Sequence, residues 1–326
     1  MSALRESFAA VGYPDLDEGH IRFGAEMARW RARAPLAQDD SFPDGHPLHA
    51  PILQNVYAFG ATLAQSAGLL CGLSPAVAED RADWAGRFNV GISLFDYACD
   101  VEGGSRVLAQ LDPFRELTGA QLPAEFARDA TLAYLQVLAA EVLIALHDDL
   151  SRFARNADDD PLWVAIARML RAELFLADRD LVRTDPALRV ERRLFLKAAE
   201  PFRVMVEWIT LSSTLAMRRS ARDLGRAIGR CVWVVDDAHD VWLDLRARQS
   251  NLFILKALAG APSIALDRPA LAAIQAQAVL GRDATVRRES RRAITRLVGA
   301  AERCGASEAR RVEQIPVVAA SLINWV

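Results

Sequence analysis

Lysine is nearly missing from this chain. It occurs only at Lys197 and Lys256, so arginine supplies 37 of the 39 basic residues. Such a bias reflects genome composition, and no single arginine is read as functional on that ground. Net charge is −3, which leaves no global attraction to nucleic acid or to an anionic membrane. Cysteine is scarce as well. Cys71, Cys99, Cys231 and Cys304 lie far apart and form no Cys-x-x-Cys pair. They read as reduced, packed thiols of a cytoplasmic protein. The N-terminus lacks the apolar core of a signal peptide. The longest apolar segment, Leu132 to Leu146, is broken by Gln136 and Glu141, and it falls short of the roughly 20 residues of a transmembrane helix. No P-loop, Rossmann fingerprint or nucleophile elbow occurs, so nucleotide and acyl chemistry have no support. Repeats, low-complexity tracts and alternating strand patterns are missing too.

What remains is helical. Hydrophobic residues make up 52% of the 326 positions and charged residues 25%, the balance of a globular protein with a large core. Residues 1–50 hold Pro14, Pro35, Pro43 and Pro47 and read as an irregular segment with one helix near Glu18–Arg33. Pro51 suits the first position of a helix that runs to Leu70. Ser74-Pro75 then starts a helix reaching about Val101, where Gly103-Gly104 stops it. Further helices are expected at 123–155, 161–179, 189–217 and 222–246. Two more should follow, with a break at Gly260 to Pro262 and a turn at Gly281 to Asp283. The pattern predicts one all-α domain over 1–326, a bundle of about ten helices around a central cavity.

Two acidic helix segments stand out. The stretch 231–244 places Asp236, Asp237, Asp240 and Asp244 within nine residues, among Val232, Trp233, Val234, Val235, Val241, Trp242 and Leu243. Asp236, Asp240 and Asp244 stack at i, i+4, i+8, and Asp237 reaches that side through Asp240. Like charges at this spacing destabilise a helix by a few tenths of a kcal/mol per pair. A fold that accepts the repulsion has a cation to hold, and clustered carboxylates suit Mg2+ where a substrate supplies phosphate oxygens. The alternative is a solvated acidic face, which the apolar flanks argue against. Asp96 and Asp100 form the second pair, at the C-terminal end of their helix. Negative charge there costs about 0.3–1 kcal/mol each. Two acidic helix ends facing across a cavity would hold Mg2+ and a diphosphate between them.

The stretch from Leu224 to Asp240, with Gly225 and Gly229 before the apolar run and Asp236-Asp237-Ala-His-Asp240 after it, resembles the second Asp-rich helix of trans-prenyl diphosphate synthases. The segment Phe195-Leu-Lys197-Ala-Ala-Glu-Pro-Phe202 resembles their Lys-Thr-Ala segment, whose lysine contacts diphosphate. The chain is thereby similar to the class I isoprenoid synthases. The resemblance implies catalytic Asp96, Asp100, Asp236 and Asp240, metal ligands that add Asp237, and Lys197 on the diphosphate. Arg246, Arg248 and Asn251 are diphosphate candidates from position alone. Phe88, Ile92, Phe95 and Trp233 are candidates for the cavity wall, with ordinary core packing as the alternative for each.

Departures from that family carry information. The Arg pair that follows its first motif is replaced by Glu102-Gly-Gly-Ser-Arg106, and Gln249-Ser250-Asn251 stands where Gly-Lys should. The resemblance therefore implies a Mg2+-dependent terpene synthase of the minority type built on the prenyl-synthase scaffold. It would ionise one allylic prenyl diphosphate and quench the cation internally. The alternatives are a prenyltransferase, either chain-elongating or of the squalene and phytoene type, and an inactive helical binding relative. Oligomeric state, including a homodimer, stays open.

Overall fold

A computed structural model describes residues 2–13, 15–34, 49–102, 172, 187–247, 251–258 and 268–323. All regular structure among them is helical, in nine helices. None of these helices is long and apolar enough to cross a membrane.

The N-terminal part is more ordered than its prolines suggest. Helix α1 (Ser2–Ala9) and helix α2 (Leu16–Arg33) both form there. Asp15 caps α2 by accepting the Glu18 N–H at 2.8 Å, and Asp17 and Glu18 sit in its first turn, where the helix dipole favours acids. Helix α1 escaped the sequence reading because eight residues carry little periodicity. Tertiary burial of Leu4 and Phe8 holds it.

Helix α3 (Ala50–Leu70) starts with Pro51 in its first turn and is buried along most of its length. Tyr57, Leu63 and Leu70 are all but sealed in the main core. Helix α4 (Pro75–Glu102) packs along α3, and the Tyr57 hydroxyl donates to Asp83 across that contact. Helix α5 (Ala187–Ile209) and helix α6 (Leu215–Ala247) form the other main pair. Their boundary differs from the expected 189–217 and 222–246. The chain turns at Thr210–Thr214, where Thr214 Oγ1 accepts the Met217 N–H at 3.3 Å, a side-chain cap that outweighs the apolar run around it.

The α5–α6 crossing is close because Gly225 and Gly229 lie on it. A Cβ on Gly229 would come within 2.5 Å of Ala199 Cα, and one on Gly225 within 2.6 Å of Arg203 Cα. Buried ion pairs complete the seam. Glu207 is wholly buried and takes Arg203 Nη1 at 2.6 Å and Arg222 Nε at 2.6 Å. Such a carboxylate is tolerated only while its partners remain, since stripping one away costs about 3–5 kcal/mol.

Helix α7 (Leu252–Leu258) follows α6. Helix α8 (Arg268–Arg303) then runs unbroken through Gly281–Asp283, where the sequence suggested a turn. One glycine costs a helix only about 1 kcal/mol, and packing on α6, α7 and α1 offsets it. Helix α9 (Glu308–Ile323) closes the described chain against α2 and α3. The helices expected over 123–155 and 161–179 lie outside the described residues, apart from Ala172, which is helical and buried.

Candidate active site

Three helices bring charge to one place. Asp96 lies near the C-terminal end of α4, Lys197 in the middle of α5, and Asp236, Asp240 and Asp244 along one stripe of α6. Lys197 Nζ stands 2.7 Å from Asp96 Oδ1, an ion pair between α4 and α5. Its two side chains are 34% and 42% exposed, so the pair is open to incoming ions. Asp236 reports the rest of the neighbourhood. Burial pushes its carboxyl up to about 7, the Asp240, Asp96 and Asp244 charges push the same way, and Lys197 opposes them. The Asp236 side chain is exposed to solvent among these charges.

Asp237 is placed differently from its neighbours. One residue of helix turns it by 100°, away from the stripe. It is buried, and its Oδ2 accepts the Trp233 Nε1–H at 2.8 Å and the Leu252 N–H at 2.6 Å. Burial raises its pKa well above the carboxylate range, with those two donors working against the rise. The expectation made Asp237 a metal ligand on the Asp240 side. In the structure its carboxylate anchors the first turn of α7 to α6.

Asn251 belongs to the same junction. Its Nδ2 donates to the Asp237 carbonyl at 2.7 Å and to Asp244 Oδ2 at 2.7 Å, while its Oδ1 accepts the Phe253 N–H at 2.8 Å. It is fully buried. The expectation put it on diphosphate, and the structure spends it on capping α7. An Asn directly before an apolar helical run is an N-cap signal, and reading it that way would have found this role.

The aromatic candidates separate. Phe88 is buried two turns below Asp96 and stacks on Trp84 with centroids 5.1 Å apart. Trp84 stacks in turn on Trp208 of α5 at 4.0 Å. Ile92 packs half-buried on the same core. Trp233 instead joins a second core with Val190, Leu194, Val241 and Leu252, beside Asp237 and away from Phe88. Trp208 was missed, because a Trp at the end of an apolar helix gives no sequence sign of its partner. The side chains of Phe95, Asp100 and Arg246, and all of Arg248, lie outside the described residues.

Among the described residues no three His, Cys, Asp or Glu side chains stand close enough to cage an ion by themselves. The stripe on α6 and Asp96 on α4 offer carboxylate oxygens only, with no thiolate. That donor set fits a hard cation that takes one or two carboxylates and completes its shell from phosphate oxygens and water.

The sequence matches no family model and no curated protein. Solved structures do match. A polyprenyl synthase from Caulobacter crescentus CB15, in complex with calcium and isoprenyl diphosphate, aligns over 94% of this chain and 97% of its own, with a TM-score of 0.59 at 15% identity. The chain has the polyprenyl synthase fold. Polyprenyl synthase ISP_B from Roseobacter denitrificans aligns over 95% of this chain and all of its own, with a TM-score of 0.55 at 15% identity. A polyprenyl synthetase from Streptomyces coelicolor A3(2) covers 96% and 100%, with a TM-score of 0.51 at 14% identity. The polyprenyl synthase fold accounts for the all-α class and for the resemblance carried by the two acidic segments. At such identities it extends to architecture alone.

Proposed function

We propose that this chain is a divalent-metal-dependent class I isoprenoid synthase that ionises an allylic prenyl diphosphate and, as a terpene synthase, quenches the cation internally. The observation that carries the proposal is the meeting of Asp96, Lys197, Asp236 and Asp240 from three helices. Asp96 supplies one acidic edge, to which the proposal adds Asp100 of the same helix, and Asp236 and Asp240 supply the other. Mg2+ held there supplies Lewis-acid stabilisation of the charge that develops on the leaving diphosphate. Lys197 adds an ammonium to the same anion once it leaves Asp96. Asp237 and Asn251 keep α6 and α7 in register and so position the second edge. The aromatic stack of Phe88, Trp84 and Trp208 lies below the first edge and suits a cation that must stay out of water. Arg246 and Arg248 extend the basic side of this proposal, and the domain is taken to span 1–326.

The test is release of inorganic diphosphate from geranyl, farnesyl or geranylgeranyl diphosphate, with and without Mg2+. Asp96→Ala or Asp240→Ala abolishes release and leaves circular dichroism and the melting midpoint near those of the unmodified protein, because relief of repulsion among the carboxylates offsets the small loss of the exposed Asp96–Lys197 pair. Full Mg2+-dependent activity in both variants places the site elsewhere. No release by the unmodified protein leaves an inactive relative. The second reading is chain elongation, favoured by the polyprenyl synthases that share the fold.

A further inference from the structure

Two thiols meet far from the acidic site. Cys71 ends α3 and Cys304 ends α8, 233 positions apart in sequence, yet their sulfurs lie 3.6 Å apart with Cys71 donating to Cys304. Both are buried and both are free thiols. Each is followed by a glycine with positive φ, Gly72 at +80° and Gly305 at +73°. Those glycines close matching helix ends. Leu73 N–H bonds back to the Gly68 carbonyl at 3.0 Å, and Ala306 N–H to the Ala301 carbonyl at 3.2 Å, the wider bond of the Schellman turn. The two turns place their last helical side chains against each other, and both glycines are exposed. Each sulfur is therefore one residue from solvent although itself covered.

We propose that Cys71 and Cys304 form a reversible disulfide under peroxide, a staple between the C-terminal ends of α3 and α8. Closing the gap to the 2.03–2.05 Å of a disulfide takes about 1.5 Å of movement, within reach of side-chain rotation at two helix ends. The electron balance is simple. The Cys304 thiolate attacks one oxygen of hydrogen peroxide, the O–O bond breaks, and a sulfenic acid and water result. The Cys71 sulfur then attacks the sulfenic sulfur, expelling the second oxygen as water. Two thiols lose two electrons and two protons, and one peroxide becomes two waters. The hydrogen bond from Cys71 favours the Cys304 thiolate, lowering the pKa of Cys304 and raising that of its donor. Cys231 is the contrast. Burial pushes its thiol up to about 12, so it is a poor competitor for the oxidant.

The staple adds a link the fold otherwise makes indirectly. Among the described residues α3 and α8 each lean on α9, whose Arg310 donates Nη1 to the Leu69 and Leu73 carbonyls at 2.9 and 3.0 Å. Asp96 lies about 30 Å away along α4 at 1.5 Å per residue, so the disulfide acts on stability and not on the acidic site.

The experiment treats the full chain with hydrogen peroxide, alkylates it in denaturant and counts labels by mass. Reduced protein takes four labels, one for each cysteine. Oxidised protein is expected to take two, to yield a linked peptide pair carrying Cys71 and Cys304, and to recover all four after dithiothreitol. Its melting midpoint should rise by roughly 5–10 °C. Cys71→Ala and Cys304→Ala should each abolish the linked peptide, and a Cys99→Ala/Cys231→Ala variant should keep it. Four labels after oxidation, another pairing, or sulfinic acid at an unlinked cysteine overturns the proposal. Peptide mapping of the unmodified chain decides even where a variant fails to fold.

Discussion

At Asp236 burial and three carboxylates push against one lysine, and the sign of the outcome can be measured. The folded carboxyl titrates near 7 and the ordinary value is 3.8. Between those limits the folded protein binds more protons than the unfolded chain, so stability falls as pH rises from about 4 to about 7. Asp237, also raised, acts in the same direction. The melting midpoint of the metal-free protein should therefore drop across this window, and Asp236→Asn should flatten the drop and leave the variant the more stable form at pH 8. Parallel melting curves for the two proteins would sink the assignment. Lys197 belongs to the same balance. Lys197→Ala should raise the diphosphate substrate needed for half-maximal rate at least severalfold and slow ionisation, read by single-turnover release of diphosphate. Unchanged values would leave the lysine a surface partner of Asp96. Its isolation in an arginine-dominated sequence was the legible signal, and the structure pairs it with Asp96 at 2.7 Å.

Helix α6 was legible as an element because its acids repeat at i+4 among apolar residues, and the acids at 236 and 240 do share surroundings with Asp96. Its neighbours Asp237 and Asn251 were not legible as structure. Their roles depend on how α7 folds back onto α6, a tertiary fact that helical periodicity does not encode. The same limit explains the missed break at Thr210–Thr214 and the expected turn at Gly281 that packing overrides. The glycines of α6 carry a prediction at this scale. A methyl group at position 229 would press on Ala199, two residues from Lys197. Gly229→Ala should destabilise the protein by about 1–3 kcal/mol through overpacking, in spite of alanine's better helix propensity. It should also shift α5 enough to impair Lys197. Denaturant melts read the first effect and half-saturation by substrate the second. Full stability with full activity would mean that the crossing is looser than drawn.

For the whole molecule, one fold can serve two chemistries, and the architecture shared with polyprenyl synthases does not choose between them. The choice rests on what elongation requires, namely a second diphosphate held beside the first. Glu102-Gly-Gly-Ser-Arg106 stands where a basic pair would follow Asp100. Below Asp96, about 12 Å along the helix at 1.5 Å per residue, the Phe88–Trp84–Trp208 stack closes the main core with aromatic faces. A prenyl tail that reached these faces would be folded back on itself rather than extruded as it grew. Farnesyl diphosphate should therefore give a hydrocarbon or alcohol in the presence of Mg2+, with no change on adding isopentenyl diphosphate. Phe88→Leu, milder than the roughly 3–5 kcal/mol cost of Phe→Ala in a core, should alter product distribution more than rate. Gas chromatography with mass spectrometry reads both results. Formation of geranylgeranyl diphosphate would make the protein an elongating synthase, and the stack would then limit chain length instead of shaping a ring.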